Sequence, residues 1–153
     1  MLAGGPPGGA ESCAMPTVAL FVPCYVDHLW PRVGLATVSV LERLGVEVVF
    51  PEEQTCCGQP MANAGCADAA APLAHRFLEI FSGFEAVVCP SGSCTSMVRN
   101  HYDPFLAGRP GFEALKRGTY ELCEFLVDVL GVKALDGRFP ENRILSHDLL
   151  EGC

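Results

Sequence analysis

Basic residues are scarce in this sequence. Its 153 residues include 10 Lys and Arg against 18 Asp and Glu, which gives a formal net charge of −8. A surface for nucleic acid or for an anionic membrane needs clustered Lys and Arg to offset the negative charge of the partner. We therefore expect no nucleic-acid partner, and the acidic balance is typical of a cytoplasmic protein.

Long apolar runs are also missing. No stretch approaches the roughly eighteen consecutive apolar residues that mark a membrane span. Residues 1–15 contain neither the basic start nor the apolar segment of an export signal, so we expect a cytoplasmic chain without a transmembrane segment. These residues are rich in Gly and Pro and show no apolar periodicity, which predicts a disordered leader.

Cysteine, by contrast, is abundant, with 9 residues. In an exported protein such a count would indicate a disulfide framework. Here the missing export signal, the odd number of cysteines and the adjacent pair Cys56-Cys57 all disfavour one. Because 50% of the residues are apolar, the chain can bury a core without disulfides. Metal binding or redox chemistry is the better interpretation.

Predicted strands and helices alternate along the chain. The apolar patterns predict an α/β fold in which a small parallel β-sheet lies between two helical layers, an α/β/α arrangement in three layers. We predict strands over 17–22, 46–50, 86–88 and 143–146, and helices over 32–44, 67–81, 95–102 and 112–130.

Five cysteines follow predicted strands, at positions where loops of a parallel sheet emerge on one edge. Thiolate is a soft ligand, so the group favours an iron–sulfur cluster, zinc or copper(I) over magnesium or calcium. Structural zinc sites usually use local C-x-x-C pairs, whereas this chain has a vicinal pair and distant single cysteines. The pattern therefore favours iron–sulfur, with zinc as a substitute. The five are Cys24, Cys56, Cys57, Cys89 and Cys94.

The other four cysteines lie near the chain ends or on predicted helices. Free cysteine is among the most buried residue types, so we predict small core residues at these positions. They are Cys13, Cys66, Cys123 and Cys153.

Four short segments together resemble the cysteine-rich CCG domain. This domain occurs in the cysteine-rich subunit of heterodisulfide reductase, in the iron–sulfur subunit of glycolate oxidase and in lactate-utilisation iron–sulfur proteins. The residues of these four segments are most similar to those of the lactate-utilisation proteins. The likeness runs from about Met15 to the end of the chain. The segments are Pro23-Cys24-Tyr25-Val26-Asp27, Cys56-Cys57-Gly58-Gln59-Pro60, Asn63-Ala64-Gly65 and Pro90-Ser91-Gly92-Ser93-Cys94.

The resemblance implies an iron–sulfur cluster of the [4Fe–4S] type. Its implied ligands are Cys24, Cys56, Cys57 and Cys94. In heterodisulfide-reductase domains the last ligands form a C-x-x-C pair, but here Ser91 occupies the first position of that pair. Cys89 is therefore a candidate fifth ligand through a wider C-x4-C loop.

The resemblance also implies an electron carrier that takes electrons from the oxidation of a 2-hydroxy acid such as lactate or glycolate. It would work beside iron–sulfur and flavin partner subunits and would not be catalytic alone. We expect the CCG-type domain over 16–140 and the start of a truncated second repeat over 141–153. Two alternatives stay open: a zinc-binding or metal-free interaction domain, and a thiol redox enzyme that uses Cys56 and Cys57 directly.

Overall fold

Four short parallel strands form the central sheet of the computed structural model, which describes residues 16–132. The predicted leader over 1–15, the predicted strand over 143–146 and the predicted second repeat over 141–153 lie outside the described residues. The strands are β1 (Thr17–Leu20), β2 (Glu47–Val49), β3 (Val87–Cys89) and β4 (Thr119–Glu121).

Helices connect the strands and flank the sheet. Pro31 opens the second helix, where its fixed φ suits the first helical turn and its missing N–H has no cost. Among residues 16–132, no helix combines the length and the apolar character needed to cross a lipid bilayer. The helices are α1 (Cys24–Leu29), α2 (Pro31–Arg43), α3 (Gln59–Asn63), α4 (Ala67–Phe81), α5 (Gly92–Asn100), α6 (Asp103–Leu106), α7 (Phe112–Gly118) and α8 (Leu122–Glu124), which continues as a π-helix over Phe125–Val129.

The strand order is β2-β1-β3-β4, with every neighbouring pair parallel. The chain therefore runs outward from β1 to β2 and then crosses back to β3 on the other side of β1. This reversal makes the carboxyl ends of β1 and β3 a topological switch point, where open α/β sheets leave a crevice for ligands.

The two faces of the sheet carry separate cores, because successive strand residues point to opposite faces. Val18 and Val88 pack on one face with Leu41 of α2 and Phe125 of the π-helix. The opposite face packs against α4, α5 and α7. Its core contains Ala19, Phe21 (just after β1), Val87, Phe77, Met97 and Leu115. The sheet is thus covered by helices on both sides, and the predicted α/β fold is confirmed.

The prediction of one continuous helix over 112–130 is wrong. Helix α7 ends at Gly118, and β4 follows immediately beside β3. A Cβ added at Gly118 would lie 2.5 Å from the carbonyl oxygen of Glu85, so only glycine allows this close backbone approach. This contact joins segments that are distant in sequence. The apolar periodicity of 112–130 therefore cannot predict that the helix stops at Gly118. The short helices α1, α3 and α6 were also not predicted.

Gly118→Ala is expected to destabilise the fold, because the added methyl must displace backbone. We expect a loss of about 1–3 kcal/mol in the free energy of unfolding, measured by urea denaturation. Gly83→Ala is the matched control, since a Cβ at Gly83 meets nothing within 4 Å, and its effect should stay within about 0.5 kcal/mol. Equal stability of the two variants would contradict the assigned contact.

Candidate cysteine site

The structure brings the five predicted site cysteines to the carboxyl edge of the sheet. Cys24 opens α1 just after β1, and Cys56 and Cys57 lie in the loop between β2 and α3. Cys89 is the last residue of β3 and not, as predicted, part of the loop after it. Cys94 lies in the first turn of α5, which begins at Gly92, three residues earlier than predicted.

The vicinal cysteines face different partners. The Sγ atom of Cys56 lies 3.5 Å from the Sγ atom of Cys24, and both side chains are only partly buried. Cys57 is 2% exposed and belongs to the apolar core together with Cys89 and Cys94. We call Cys24 and Cys56 the outer pair, and Cys57, Cys89 and Cys94 the inner trio.

A left-handed glycine follows the vicinal cysteines and precedes α3. Gly58 has φ +81°, a conformation that side-chain-bearing residues rarely adopt. Its N–H donates to the Sγ atom of Cys56 at 3.4 Å, so the turn directs a backbone donor at that sulfur. The Cys56-Cys57-Gly58 sequence therefore works as one unit, in which the glycine N–H contacts the sulfur that lies beside Cys24.

Cys94 lies at the N-terminal end of α5. Ser91 is the N-cap of this helix, and its hydroxyl oxygen accepts a hydrogen bond from the backbone N–H of Cys94 at 3.3 Å. The Thr95 hydroxyl donates to the carbonyl oxygen of Ser91 at 2.8 Å and fixes the same turn. The partial positive charge of a helix N-terminus stabilises a thiolate placed there.

The three thiols of the inner trio have pKa values that are shifted in different directions. Hydrogen bonds from the thiols of Cys57 and Cys89 lower the pKa of Cys94 to about 3. The pKa of Cys57 is raised, first by its hydrogen bond to Cys94 and then by burial, and burial raises the pKa of Cys89. In the outer pair, burial raises the pKa of Cys24 to about 11. The arrangement therefore favours the thiolate form at Cys94 over the other two members of the trio.

Gln54 ties the loop of the vicinal cysteines to the end of β1. Its Oε1 atom accepts a hydrogen bond from the Val22 N–H at 2.7 Å. Its Nε2 atom donates to the carbonyl oxygens of Leu20 at 3.1 Å and Pro51 at 2.9 Å. The side-chain amide thus continues the β1–β2 pairing beyond the last residue of β2. Sequence reasoning missed Gln54, because a polar residue next to Glu52-Glu53 looks like any other residue of a solvent-exposed loop.

Tyr102 supports the same loop from inside the protein. This side chain is fully buried, and its hydroxyl donates to the carbonyl oxygen of Cys57 at 2.9 Å. Its ring packs edge-on against Phe77 of α4, with the ring centroids 5.8 Å apart. Sequence reasoning placed Tyr102 only at the end of a helix, since the contact with Cys57 spans 45 residues of chain.

The prediction of buried positions for Cys66 and Cys123 is wrong, because both are exposed. Cys66 precedes the first residue of α4, and Cys123 lies on the solvent side of α8. Within residues 16–132, neither takes part in the hydrogen bonds or the pKa shifts that link the five site cysteines. Cys13 and Cys153 lie outside the described residues.

The donor set fits a soft metal or an iron–sulfur cluster, since it consists of five thiols, which are soft ligands. Within the described range, however, no three His, Cys, Asp or Glu side chains already form a group that could hold a metal ion. The outer pair and the inner trio remain separate sets in this arrangement. Holding one cluster with both sets requires their side chains to turn toward a common centre.

A search of protein-family models matches residues 18–99 to CCG, described as a cysteine-rich domain. The matched region contains all five site cysteines and ends before the exposed Cys123. The matched region also contains the exposed Cys66, so it is the geometry that separates the five site cysteines from Cys66.

Curated proteins give strong matches. The chain is 47% identical over 131 residues to Lactate utilization protein A of Exiguobacterium, covering 82% of the chain and 54% of the relative. It is 50% identical over 119 residues to the protein of that name from Bacillus pumilus, covering 75% of the chain and 50% of the relative. It is 49% identical over 121 residues to Lactate utilization protein A of Bacillus subtilis, covering 76% of the chain and 50% of the relative. The chain spans about half the length of the curated relatives it matches, and no solved structure matches it.

Gln54→Leu is expected to loosen the loop of the vicinal cysteines. The change leaves the Val22 N–H and the Leu20 carbonyl without their partner, at about 1–3 kcal/mol for each group that stays buried. We expect iodoacetamide to alkylate Cys56 several-fold faster in the metal-free variant than in the metal-free wild type, measured by peptide mass spectrometry.

Gln59→Leu is the matched control, because the Gln59 side chain takes no part in the bonds to β1. Its Cys56 alkylation rate should equal that of the wild type. An unchanged rate in Gln54→Leu would show that the loop keeps its place without the amide.

Proposed function

The chain belongs to the family of cysteine-rich CCG domains, and from this membership we propose that it is an iron–sulfur electron-transfer component of a lactate-oxidising system. The observation that carries the proposal is the convergence of five thiols at the switch point of the sheet. The relatives support the choice of substrate, since the matched proteins are named Lactate utilization protein A. Glycolate, another 2-hydroxy acid, is the second candidate substrate of the parent system.

The proposed cluster is of the [4Fe–4S] type and supplies a one-electron couple when bound. Its proposed ligands are Cys24, Cys56, Cys57 and Cys94, with Cys89 as a fifth. Cys94 supports this assignment best, because hydrogen bonds to its sulfur favour the thiolate form that binds metal. Cys89 lies within hydrogen-bonding reach of Cys94, while Ser91 uses its hydroxyl oxygen to cap α5.

The surroundings of the site suit electron transfer. The inner trio lies in an apolar core beside Phe21 and Phe77, and such burial tunes the potential of a cluster. The Gly58 N–H already donates to a site sulfur, which is a second way to tune the potential. The partly exposed outer pair gives a partner access from the rim. We propose flavin and iron–sulfur subunits as partners, in the cytoplasm.

The experiment that tests this proposal is iron and sulfide analysis of the chain purified without oxygen. Bound iron with acid-labile sulfide, broad visible absorption and an EPR signal on reduction would support it. Colourless protein with stoichiometric zinc would instead support a zinc-binding interaction domain. Metal-free protein with thiol-exchange activity would support a thiol redox enzyme.

Serine variants test the ligand assignment. Cys56→Ser and Cys57→Ser should each lose most of the bound iron, because serine replaces a soft thiolate with a hard oxygen. Cys123→Ser is the control and should keep its iron, since Cys123 is exposed and its side chain interacts with Glu121 instead of a site cysteine. Equal losses in all three variants would contradict the assignment.

Cys89→Ser separates a four-thiolate site from a five-thiolate site. If Cys89 is a ligand, the variant should lose iron or change its EPR signal, while its far-UV circular dichroism stays that of the wild type. Unchanged iron content together with an unchanged EPR signal would leave four ligands.

A further inference from the structure

We propose that Cys24 and Cys56 form a disulfide bond when the site holds no metal, by exchange with a small disulfide such as oxidised glutathione. Their Sγ atoms are 3.5 Å apart, so a modest side-chain movement brings them to bonding distance. Both thiols are partly exposed, and a small oxidant can reach them. The bond itself does not depend on the proposed cluster.

The Gln54 side chain holds the loops of the two sulfurs together without help from a metal. Gln54 bonds to Val22 and Leu20, just before Cys24, and also to Pro51 in the loop that leads to Cys56. The two loops therefore keep a fixed separation in the metal-free chain.

Other cysteine pairs at the site are less suited to this reaction. The members of the inner trio are 2%, 0% and 4% exposed for Cys57, Cys89 and Cys94, so a small disulfide cannot reach their sulfurs. A vicinal Cys56-Cys57 bond requires both side chains to turn to one side, yet Cys57 faces Cys94 and its carbonyl is held by Tyr102. The geometry thus selects one bond among the five thiols.

The reaction proceeds by two thiol–disulfide exchanges. One cysteine of the outer pair, as thiolate, attacks a sulfur of oxidised glutathione, forms a mixed disulfide and releases one glutathione. The second cysteine attacks the protein sulfur of that mixed disulfide, forms the Cys24–Cys56 bond and releases a second glutathione. The two cysteines lose two electrons and two protons, and oxidised glutathione gains them.

The bond would regulate the site. It removes two of the thiolates that the proposed function assigns to the cluster, so the oxidised chain could not be loaded until a thiol reduced it. This consequence rests on the proposed function, whereas formation of the bond is tested on the metal-free chain and without any metal readout.

The experiment treats the metal-free chain with oxidised glutathione, alkylates the remaining thiols with iodoacetamide after unfolding, and identifies cross-linked peptides by mass spectrometry. We expect a Cys24–Cys56 bond in most chains, and alkylated Cys57, Cys89 and Cys94. Mixed glutathione disulfides at Cys24 or Cys56 without closure, or a bond within the inner trio, would overturn the proposal.

Two variants make the test specific to this pair. Cys57→Ser should still form the bond, whereas Cys56→Ser should not form any intramolecular disulfide with Cys24. If Cys56→Ser instead joins Cys24 to Cys57 in most chains, the separation of the outer pair from the inner trio is wrong. Far-UV circular dichroism of each variant, compared with that of the wild type, establishes that the chain is folded. A Cys66→Ser background removes an exposed thiol from the same tryptic peptide and should leave the result unchanged.

Discussion

The pairing of β1 with a parallel strand on each side is the constraint on which the rest of the structure depends. Because β2 and β3 flank β1, the chain must reverse its winding direction there, and the loops that follow all three strands meet at one edge. Cys24, Cys56 and Cys89 are therefore neighbours as a result of topology. The helices that cover both faces keep the sheet in place and leave this edge open.

Much of this arrangement could be predicted from sequence, because it depends on local patterns. The apolar runs before Cys24 and Cys89 indicate buried strands, and the helical periodicity over 67–81 agrees with the observed α4 (Ala67–Phe81). The convergence of the five thiols also follows from sequence order once the sheet is taken as parallel. Here the family and the α/β fold were predicted correctly, since motif and periodicity point the same way.

The remaining features depend on contacts between distant segments. At the end of α7, glycine is needed at Gly118 because the Glu85 carbonyl lies against it, and the buried Tyr102 hydroxyl has a carbonyl partner at Cys57. The sequence shows which residues are present in both cases, but their partners lie far away along the chain. The different environments of the two vicinal cysteines have the same origin, since the Cys56 partner lies at the rim and the Cys57 partner inside the core.

The side chain of Gln54 has a consequence for how the site responds to its surroundings. An amide both donates and accepts hydrogen bonds, and Gln54 uses both capacities, to Leu20 and Pro51 in one direction and from Val22 in the other. It carries no charge and has no proton to lose between acidic and alkaline conditions. A thiol loses its proton as pH rises, whereas the Gln54 amide that spaces the two loops does not ionise. The spacing of the rim is thereby uncoupled from the ionisation of the sulfurs it positions.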